Sequence, residues 1–474
     1  MKKLTFFCIA AASVAAAHAQ ESMGIANSNY APTQSVHLNP SSIVDSKVWL
    51  DVHIVGAGAY LYNNYFYFPK ASVWTRPFPE GRDRHEESSV YRGDFNADVW
   101  GPSFTLSLGR HAIGLHTAVR SFTDATRVPA SIAKFIFKGI NYDPQHNIDF
   151  YGENFNGTSL TWGEIGLTYG TIIHRKQKNL WTGGVTAKYL SGINSLAVDI
   201  ESINYNVLND SNLYVIPVTG KYAMVEPGLG AGNGWSIDLG VTYKRMLDIV
   251  DSYVPHSATS DCSVKDYKYK VGLSVMDLGS IRFNKNAVYQ QYINTEATWN
   301  RYDTASFTNV GSTDQNLNNN INNGASQNIR SSSFTTWLPS YASLQFDYNF
   351  GKNMFANLTV IQGFRIQAPF GVHRRSTIAI TPRYEMKRWE VSLPVALHDY
   401  RKFQVGLMFR INNLIIGSDH LIPLIFRTNM NAADIYFHLK IPFYKNPECA
   451  GKKHKKGKKG KAANAHDDSC PAYE

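Results

Sequence analysis

The stretch "WSIDLGVTYK" (residues 235–244) decides the fold class, because its side chains alternate strictly between apolar and polar. The odd-numbered residues are Trp, Ile, Leu, Val and Tyr, whereas the even-numbered residues are Ser, Asp, Gly, Thr and Lys. A period of two over such a length predicts a β-strand with one apolar and one polar face.

The same alternation recurs along the chain. It returns in "YKYKVGLSVM" (267–276), "ASLQFDYNF" (342–350), "FQVGLMFR" (403–410) and "DIYFHLKIPF" (434–443). The strands of a soluble β-sandwich alternate in the same way, so strand length has to distinguish that fold from a transmembrane β-barrel. These segments run to about ten residues, the length of a tilted transmembrane strand, whereas soluble strands usually have about five or six.

The connections between the predicted strands alternate between short and long. Short polar turns are predicted at 109–111, 175–178, 351–353, 385–388 and 411–413. Long connections rich in Asn, Ser, Tyr and Gly are predicted at 61–99, 123–160, 191–233 and 284–338. Short periplasmic turns and long extracellular loops are typical of outer-membrane β-barrels.

These patterns together predict an all-β fold, a transmembrane antiparallel β-barrel of about 14 strands. The strands are predicted to start near Lys47, Trp100, Ala112, Trp162, Leu180, Gly234, Tyr267, Ser340, Asn353, Thr377, Trp389, Phe403, Asn413 and Ala433. An even number leaves both chain ends in the periplasm. The turn at 246–266, which is long for that side, and the short strand near Asn413 fit this topology least well.

The outer face of the predicted barrel carries candidate girdle residues, and the inner face carries candidate lumen residues. Aromatic residues near strand ends predict interfacial girdles, and they are Trp100, Trp162, Trp235, Tyr243, Phe350, Trp389, Phe403 and Phe443. The inward polar residues are Asp238, Lys244, Lys268, Lys270 and Asp347. We expect their charges to pair across a filled lumen, and the alternative is that they line a conduit.

The first 19 residues have a charged start, an apolar stretch and a small-x-small end, which predicts a secretory signal peptide and a mature chain beginning at Gln20. The remainder has no apolar run long enough for a transmembrane helix. The predicted organisation is a signal peptide (1–19), a plug-like periplasmic segment with an Asn-Pro turn (20–46), a barrel in the outer membrane (47–443) and a basic periplasmic tail (444–474).

The formal charge of +10 is concentrated at the two ends of the chain. Seven lysines lie in "GKKHKKGKKGK" (451–461) and two lie in the leader. Without them the body is nearly neutral, so nucleic-acid binding is not expected of this exported chain. The tail is predicted to be a solvated run that is attracted to anionic outer-membrane lipid, to peptidoglycan or to an acidic partner.

The stretch "HLNPSSI" (37–43) places an Asn-Pro pair just before the first predicted strand. One interpretation is a helical turn with Asn39 as N-cap, Pro40 at the first helical position and a contact between Leu38 and Ile43. The alternative is an ordinary Asn-Pro loop turn. The sequence leaves both open.

Three cysteines remain after removal of the leader: Cys262, Cys449 and Cys470. A disulfide between Cys449 and Cys470 would close the basic tail into a loop, and Cys262 is a rival partner for either cysteine. The other possibility is that all three are free or pair between molecules.

No cofactor, metal site or catalytic group is predicted, and the chain is not expected to be an enzyme. The histidines are scattered without zinc-site spacing, namely His37, His53, His111, His116, His146, His373 and His398. The glycine-rich "GLGAGNG" (228–234) leads into a strand and lacks the Lys-Ser/Thr pair of a phosphate loop.

Several stretches resemble known barrels. "MGIANSNYAPTQSVHLNPSSIVDSK" (23–47) resembles the N-terminal segment of FadL-like barrels, including the PorV proteins of type IX secretion. "VGLSVMDLGSIRF" (271–283), "WLPSYASLQFDYNFGKNMF" (337–355) and "PRYEMKRWEVSLPVALHDYRKFQVGLMFRINNLIIGSDHL" (382–421) resemble a Bacteroidota outer-membrane barrel family of unknown function, related to these and to PorP/SprF proteins. The basic tail departs from the FadL pattern.

The resemblance implies two functions. PorV-like and PorP-like barrels imply an accessory or scaffold in surface-protein secretion or envelope assembly, with secretion-system or cell-envelope proteins as partners, and this is the leading hypothesis. FadL-like barrels imply a passive channel for hydrophobic or small molecules. The aromatic stretch "YLYNNYFYF" (60–68) would give such a channel an apolar landing site.

Overall fold

The structure is a computed structural model that describes residues 22–72, 74–75, 77–83, 90–260, 262, 264–302, 309–321, 328–366 and 370–450. The predicted signal peptide and most of the basic tail therefore lie outside the described residues. None of the helices in the described ranges is long and apolar enough to cross a bilayer.

The strands are β1 (Leu50–Asn63), β2 (Phe66–Ala71), β3 (Arg82–Asp83), β4 (Val90–Trp100), β5 (Ser103–Leu108), β6 (His111–Pro129), β7 (Asp149–Lys176), β8 (Asn179–Val207), β9 (Leu213–Val225), β10 (Gly232–Met246), β11 (Tyr267–Phe283), β12 (Ala287–Trp299), β13 (Ile329–Ser331), β14 (Phe334–Trp337), β15 (Tyr341–Gly351), β16 (Met354–Gly363), β17 (Phe370–Gly371), β18 (Thr377–Glu385), β19 (Trp389–Ser392), β20 (Val395–His398), β21 (Lys402–Val405), β22 (Leu407–Ile411), β23 (Leu414–Ser418), β24 (Thr428–Met430) and β25 (Ala432–Phe443). The α-helices are α1 (Pro32–Ser35), α2 (Ala130–Lys138), α3 (Val310–Ile321), α4 (Ile422–Ile425) and α5 (Pro447–Ala450), and the 3₁₀ turns are Pro40–Ile43, Asp143–Gln145 and Ala258–Ser260.

The barrel wall is a closed sheet of 14 antiparallel strands, as predicted. Four of these wall strands are interrupted and consist of two elements each, namely β4–β5, β14–β15, β19–β20 and β21–β22. The wall closes where β1 pairs with β25, from Leu50 opposite Phe443 to Tyr62 opposite Ala432. Both ends of the wall therefore leave from the end that carries the short turns, which we call the short-turn end; the opposite end is the long-loop end.

The predicted faces are confirmed in "WSIDLGVTYK". Leu239 is 46% exposed on the outer surface, whereas Thr242 is 7% exposed and points into the lumen. Trp235 and Ile237 are exposed with Leu239, and Asp238 is buried. The wall thus presents an apolar surface outward and polar side chains inward, the arrangement of a transmembrane barrel.

One predicted lumen residue, Lys268, instead lies on the outside. Tyr269 pairs with Arg245 and Tyr267 pairs with Met246, so the register shifts and Lys268 is the extra residue of a β-bulge. The bulge reverses which face the side chains occupy in the residues that precede it on the strand. Lys268 is exposed, and Tyr267, which we predicted on the apolar face, is buried in the lumen.

Two of the predicted girdle residues also lie inside the barrel. Trp162 is fully buried, and its indole N–H donates to Glu164 Oε2 at 2.8 Å. The ring of Trp100 packs against the ring of His37, with 3.9 Å between the centroids. Both residues have even numbers on strands whose even positions face the lumen, so the alternation outweighs the tendency of Trp for the interface.

The predicted long loops at 123–160, 191–233 and 284–338 are largely sheet. β7 has 28 residues and β8 has 29, so both rise well beyond the roughly ten residues that span a bilayer. β9 pairs with β8 and with β12, so these strands together form a sheet that extends beyond the barrel wall. Its core is an apolar cluster that includes Tyr205 and Trp299. Apolar packing outside the membrane therefore orders segments whose composition resembles loops.

Residues 22–48, here called the inner segment, lie inside the barrel, and each of them is buried or half-buried. The segment contacts the wall on several sides. The Met23 amide donates to Asp419 Oδ2 at 2.7 Å, and Ser28 Oγ donates to Glu390 Oε2 at 2.7 Å. Lys440 Nζ donates to the Tyr30 carbonyl at 2.6 Å. The inner segment thus occupies the lumen at the short-turn end.

The helical-turn interpretation of "HLNPSSI" is confirmed. Asn39 caps the 3₁₀ turn, with its Oδ1 accepting the Ser41 amide at 3.0 Å, and Pro40 occupies the first turn. Glycines of the wall make room for this turn: a Cβ added to Gly240 would lie 2.2 Å from Asn39 Oδ1, and one added to Gly184 would lie 2.5 Å from the Pro40 carbonyl carbon. The expected contact between Leu38 and Ile43 is wrong, because the two residues pack in different apolar clusters.

The long turn at 247–266, here called the base loop, closes the short-turn end. Tyr253 OH donates to Asp45 Oδ1 at 2.7 Å, and His256 Nε2 donates to the Ser46 carbonyl at 2.9 Å. Burial, followed by the Asp45 carboxylate, raises the pKa of Tyr253 well above its ordinary value. The turn is long because it has to reach across the barrel end to the inner segment.

A disulfide joins Cys262 of the base loop to Cys449 of α5. The predicted bond between Cys449 and Cys470 is therefore wrong, and Cys470 lies outside the described residues. The physical reason is that the chain after the last wall strand packs against the base loop, where Asn446 Nδ2 donates to the His256 carbonyl at 3.2 Å. The rival partner, Cys262, is the one that the fold brings close.

Candidate functional site

The candidate site is a lumen cavity of about 60 Å³ between the inner segment and the wall. Each water needs at least about 10–15 Å³ of such volume, so the cavity has room for a few waters. Its lining residues are Ser22, Ile25, Thr33, Gln34, His37, Leu38, His53, Asp98, Trp100, Ser103, Arg120, Phe122, Lys188, Asp277, Arg374 and His438. The lining combines apolar, charged and imidazole side chains from distant parts of the chain.

A buried charge network forms one side of the cavity. Arg120 donates to both carboxylate oxygens of Asp277, at 3.1 and 3.0 Å, and lies 3.3 Å from Glu164. Lys188 lies 2.6 Å from Asp277 and 2.7 Å from Asp238. Asp238 is therefore paired, as predicted, but its partner lies on the neighbouring strand β8 and not across the lumen. Because each of these charges has a partner, the network holds the neighbouring wall strands in one geometry beside the cavity.

The other predicted lumen charges are paired as well. Lys244 lies 2.8 Å from Asp45 of the inner segment, and Lys270 lies 3.6 Å from Asp347. Asp347 also accepts from Arg383 at 2.6 Å. The expectation of a filled lumen with paired charges is therefore confirmed for these three predicted residues, and the first pair joins the wall to the inner segment.

Three histidines line the cavity, and a fourth, His116, packs against one of them. His53 Nε2 lies 3.3 Å from His438 Nδ1, and the ring of His37 lies 4.8 Å from the ring of His116. Three of the four were identified in the sequence only as scattered residues, and His438 was not singled out. Burial, followed by the neighbouring His116, lowers the pKa of His37 well below its ordinary value. Sequence spacing could not reveal the grouping, since residues 53 and 438 meet only when the barrel closes.

The half of the lumen towards the long-loop end contains a buried apolar cluster. It consists of Phe122, Leu160, Trp162, Leu190, Ala197, Ala223, Val225, Ala231, Ile281, Phe283, Ala287, Phe334, Leu338, Phe370 and Val372. Phe370 and Val372 come from the connection between β16 and β18, which folds into the lumen. Charged residues share this half, since Arg375 lies 2.7 Å from Asp94. Phe122 belongs both to the apolar cluster and to the cavity lining, so the cluster reaches down to the cavity.

Arg374 lines the cavity beside the apolar cluster. Its guanidinium carbon lies 4.0 Å from the ring centroid of Tyr341 and 5.8 Å from that of Phe122. On the opposite side of the cavity lie His37 and Leu38 of the inner segment. The cavity is therefore enclosed between an arginine from the long-loop side and the inner segment from the short-turn side.

The wall is interrupted beside the cavity. β4 ends at Trp100 and β5 begins at Ser103, so Gly101 and Pro102 lie outside the ladder with β1. Both Trp100 and Ser103 line the cavity. Gly and Pro within a strand mark a bulge or a bend, and the "WGPS" sequence was the available signal for this break.

An aromatic patch lies at the long-loop end. The ring of Phe66 is 5.8 Å from that of Phe68 and 6.4 Å from that of Phe137, and Phe68 is 5.1 Å from Phe78. Phe78 is exposed. Only part of the predicted landing stretch contributes, since Tyr60 is buried in the wall and its hydroxyl accepts from Gln404 Nε2 at 3.2 Å.

One group outside the lumen has metal-ligand chemistry. Asp143, His146 and Asp210 offer ligand atoms within 4.8 Å of one another. Both carboxylates are exposed, and His146 Nε2 already lies 3.0 Å from the Ile140 carbonyl. This group therefore has a sufficient explanation as a surface contact between two loops.

Comparison with known proteins gives one family match. The profile of a family described as "Family of unknown function (DUF5723)" matches residues 40–419. No curated protein sequence matches.

Solved structures with similar strand arrangements include a FadL homologue of Pseudomonas aeruginosa, with 11% identity over 90% of this chain and 97% of that chain and a TM-score of 0.41. A ΔS2S3 mutant of the monoaromatic hydrocarbon channel TodX has 9% identity over 86% of this chain and 93% of that chain, with a TM-score of 0.42. The toluene transporter TodX of P. putida has 8% identity over 86% and 91%, with a TM-score of 0.30. These values are too low to assign a substrate.

Proposed function

We propose that this chain, which belongs to the DUF5723 family of unknown function, is an outer-membrane channel for small hydrophobic molecules, and that the inner segment gates its lumen. The observation that carries the proposal is the apolar cluster inside the long-loop half of the lumen, which reaches the cavity at Phe122. Barrels that conduct water-soluble solutes have polar, water-filled interiors. An apolar cluster of this size inside the lumen favours apolar cargo.

A route for such cargo begins at the aromatic patch around Phe66 and Phe78, continues along the apolar cluster and ends at the cavity. Aromatic and aliphatic linings are typical of sites for hydrophobic ligands. The wall break at Gly101–Pro102 lies beside the cavity and would be the natural exit towards the membrane. In this topology the long loops face outward and both chain ends lie in the periplasm.

The inner segment is the gate in this proposal. The cavity has room for only a few waters, so a ligand passes only if neighbouring groups move. The segment contacts the wall through polar bonds such as Ser41 Oγ to Thr242 Oγ1, 2.7 Å, and Asn39 Nδ2 to Gln345 Oε1, 3.0 Å. Water can replace such bonds when the segment moves, at a net cost of about 1 kcal/mol each.

The leading sequence hypothesis, a scaffold for secretion or envelope assembly, has less support. A scaffold requires a binding surface and has no need of an apolar lumen. The PorV and PorP relationship and the partners of the basic tail stay predictions, and residues 451–474 lie outside the described structure.

Uptake by Gram-negative cells tests the proposal, with N-phenyl-1-naphthylamine as a hydrophobic probe that fluoresces once it is inside the membrane. Cells that produce the protein should take up the probe several times faster than cells that do not. Phe122→Asn, in the apolar lumen, should abolish most of this gain. Phe350→Asn, on the exposed outer rim, is the matched control and should preserve it.

Each outcome distinguishes the two functions. Uptake equal to that of cells without the protein, with the barrel folded in the outer membrane, overturns the channel. A stable partner that co-purifies in that case supports the scaffold. Deletion of residues 22–48 behind the intact leader should increase uptake and allow vesicles to swell in arabinose, because the lumen loses its gate.

A further inference from the structure

His53 on β1 and His438 on β25 face each other inside the barrel, at the seam where the first and last wall strands pair. We propose that this histidine pair binds a late first-row divalent transition metal ion: Zn²⁺, Ni²⁺ or Cu²⁺. The proposal does not depend on the channel function.

The distance between the two imidazoles matches such an ion. His53 Nε2 and His438 Nδ1 are 3.3 Å apart. Two nitrogens bound tetrahedrally to zinc at about 2.0–2.1 Å are themselves about 3.3 Å apart. The two side chains would therefore bind an ion with little movement. Imidazole nitrogen is a ligand that zinc, copper and nickel all accept.

Gly56 lets the two imidazoles come together at the seam. A Cβ added to Gly56 would lie 2.2 Å from His438 Nδ1 and 2.8 Å from His53 Nε2, which is closer than a side chain allows. Both rings therefore pack directly against the backbone of residue 56. A side chain there would displace them, so the glycine is needed for the short distance between the two nitrogens.

The protonation of His53 favours metal binding. Its Nδ1 lies 3.2 Å from the Gly101 carbonyl, which can only accept, so Nδ1 carries the proton. Nε2 therefore presents a lone pair towards His438. Metal-binding histidines usually donate their other ring N–H to a carbonyl or carboxylate in this way, which fixes the tautomer and the ring orientation.

The surroundings leave coordination positions for water. Both histidines line the cavity, which has room for a few waters. His438 is 5% exposed, and its Nε2 has no hydrogen-bond partner among the described residues. The nearest charges, Lys440 and Asp51, pair with each other at 3.1 Å, so no net charge opposes the ion.

A bound ion would join β1 to β25 and thus hold the barrel closed at its seam. The test uses the full-length barrel refolded in detergent with and without Zn²⁺, so that slow entry into a closed lumen cannot hide binding. Unfolding is followed by the shift of the folded band on unheated gels. At a Zn²⁺ concentration 100 times the dissociation constant, the folded-to-unfolded ratio should rise about 100-fold.

Two variants separate this site from other histidines. His438→Gln removes a ligand, and Gly56→Ala displaces the two rings without removing an imidazole; both should lose the Zn²⁺-dependent stabilisation and one bound metal per chain. His398→Gln, which removes another buried lumen histidine, is the matched control and should retain both. Cu²⁺ bound to the wild type should show an electron paramagnetic resonance signal split by two nitrogens, and this signal should be lost in Gly56→Ala.

The opposite results would overturn the proposal. If the protein refolded with Zn²⁺ retains no more metal than the His438→Gln variant, the two rings form only a hydrogen bond. If Gly56→Ala binds and is stabilised like the wild type, the ion lies elsewhere.

Discussion

Lys244 of the barrel wall and Asp45 of the inner segment form a buried ion pair, with Lys244 Nζ 2.8 Å from Asp45 Oδ2. The same ammonium donates to the Asp45 carbonyl at 2.9 Å, and Tyr253 of the base loop donates to the other carboxylate oxygen. Asp45 is therefore the point where wall, inner segment and base loop meet.

Lys244→Gln should release the inner segment. Removal of one partner from a buried pair leaves the other charge uncompensated and typically costs about 3–5 kcal/mol. We expect a lower urea midpoint and faster proteolysis within residues 22–48. Lys268→Gln, at the exposed bulge position, is the matched control and should change neither; equal effects of the two variants would contradict the assignment of Lys244 to the lumen.

Leu239→Arg should impair membrane insertion. Leu239 lies on the outer face, where an arginine near the bilayer midplane costs about 2–4 kcal/mol. Folding into lipid vesicles, measured by the gel shift, should show a lower yield and a lower denaturant midpoint, whereas Leu239→Met should match the wild type. An arginine variant with unchanged stability would mean that this face does not contact lipid.

Thr242→Arg should have a different effect, although it lies only three residues away. The Thr242 hydroxyl is 2.7 Å from Ser41 Oγ, so a longer side chain would displace the inner segment. The barrel should still insert, and residues 22–48 should become sensitive to protease. Intact protection of that segment would show that the lumen can accommodate the arginine.

Loss of the Cys262–Cys449 disulfide should destabilise the base loop. The bond joins residues 187 positions apart, and native disulfides typically contribute about 2–4 kcal/mol. Cys262→Ser and Cys449→Ser should each lower the unfolding temperature, while Cys470→Ser should not. Peptide mapping without reductant should recover a 262–449 crosslinked peptide, and a 449–470 peptide instead would contradict the structure.

Acidification should loosen the inner segment through His37. Burial holds the pKa of His37 well below its usual value. His37 therefore stays neutral while the inner segment lies in the lumen, and it takes up a proton when the segment is released. The stabilisation is complete above the unfolded pKa of about 6.5 and is lost as the pH falls towards the folded pKa. Protease sensitivity of residues 22–48 should therefore increase between pH 7.5 and 5, and less steeply in His37→Gln. The same pH dependence in the variant would assign the effect to other groups.

The wall could be predicted from sequence because strand alternation is a local property. Leu239 and Thr242 reveal their faces through their immediate neighbours, and the turn residues mark where strands end. Lys268 was assigned to the wrong face because a single bulged residue reverses the pattern and leaves no mark in composition.

The lumen could not be predicted in the same way, because its contacts join residues that are far apart in the sequence. His53 and His438 are 385 positions apart, and Cys449 meets Cys262 only because the base loop folds under the barrel. The glycines at 184 and 240 were a readable signal in retrospect: glycine weakens a strand, so its presence there indicated that another part of the chain approaches closely.

The placement of the inner segment ahead of β1 constrains the order of assembly. Its bonds reach β10 at Thr242, β15 at Gln345 and β25 at Lys440, yet the wall closes only when β25 pairs with β1. The inner segment therefore cannot form these contacts until nearly all of the wall strands are in place. Contacts of such high sequence separation fold slowly, so seam closure and seating of the inner segment should form one late, concerted step of folding.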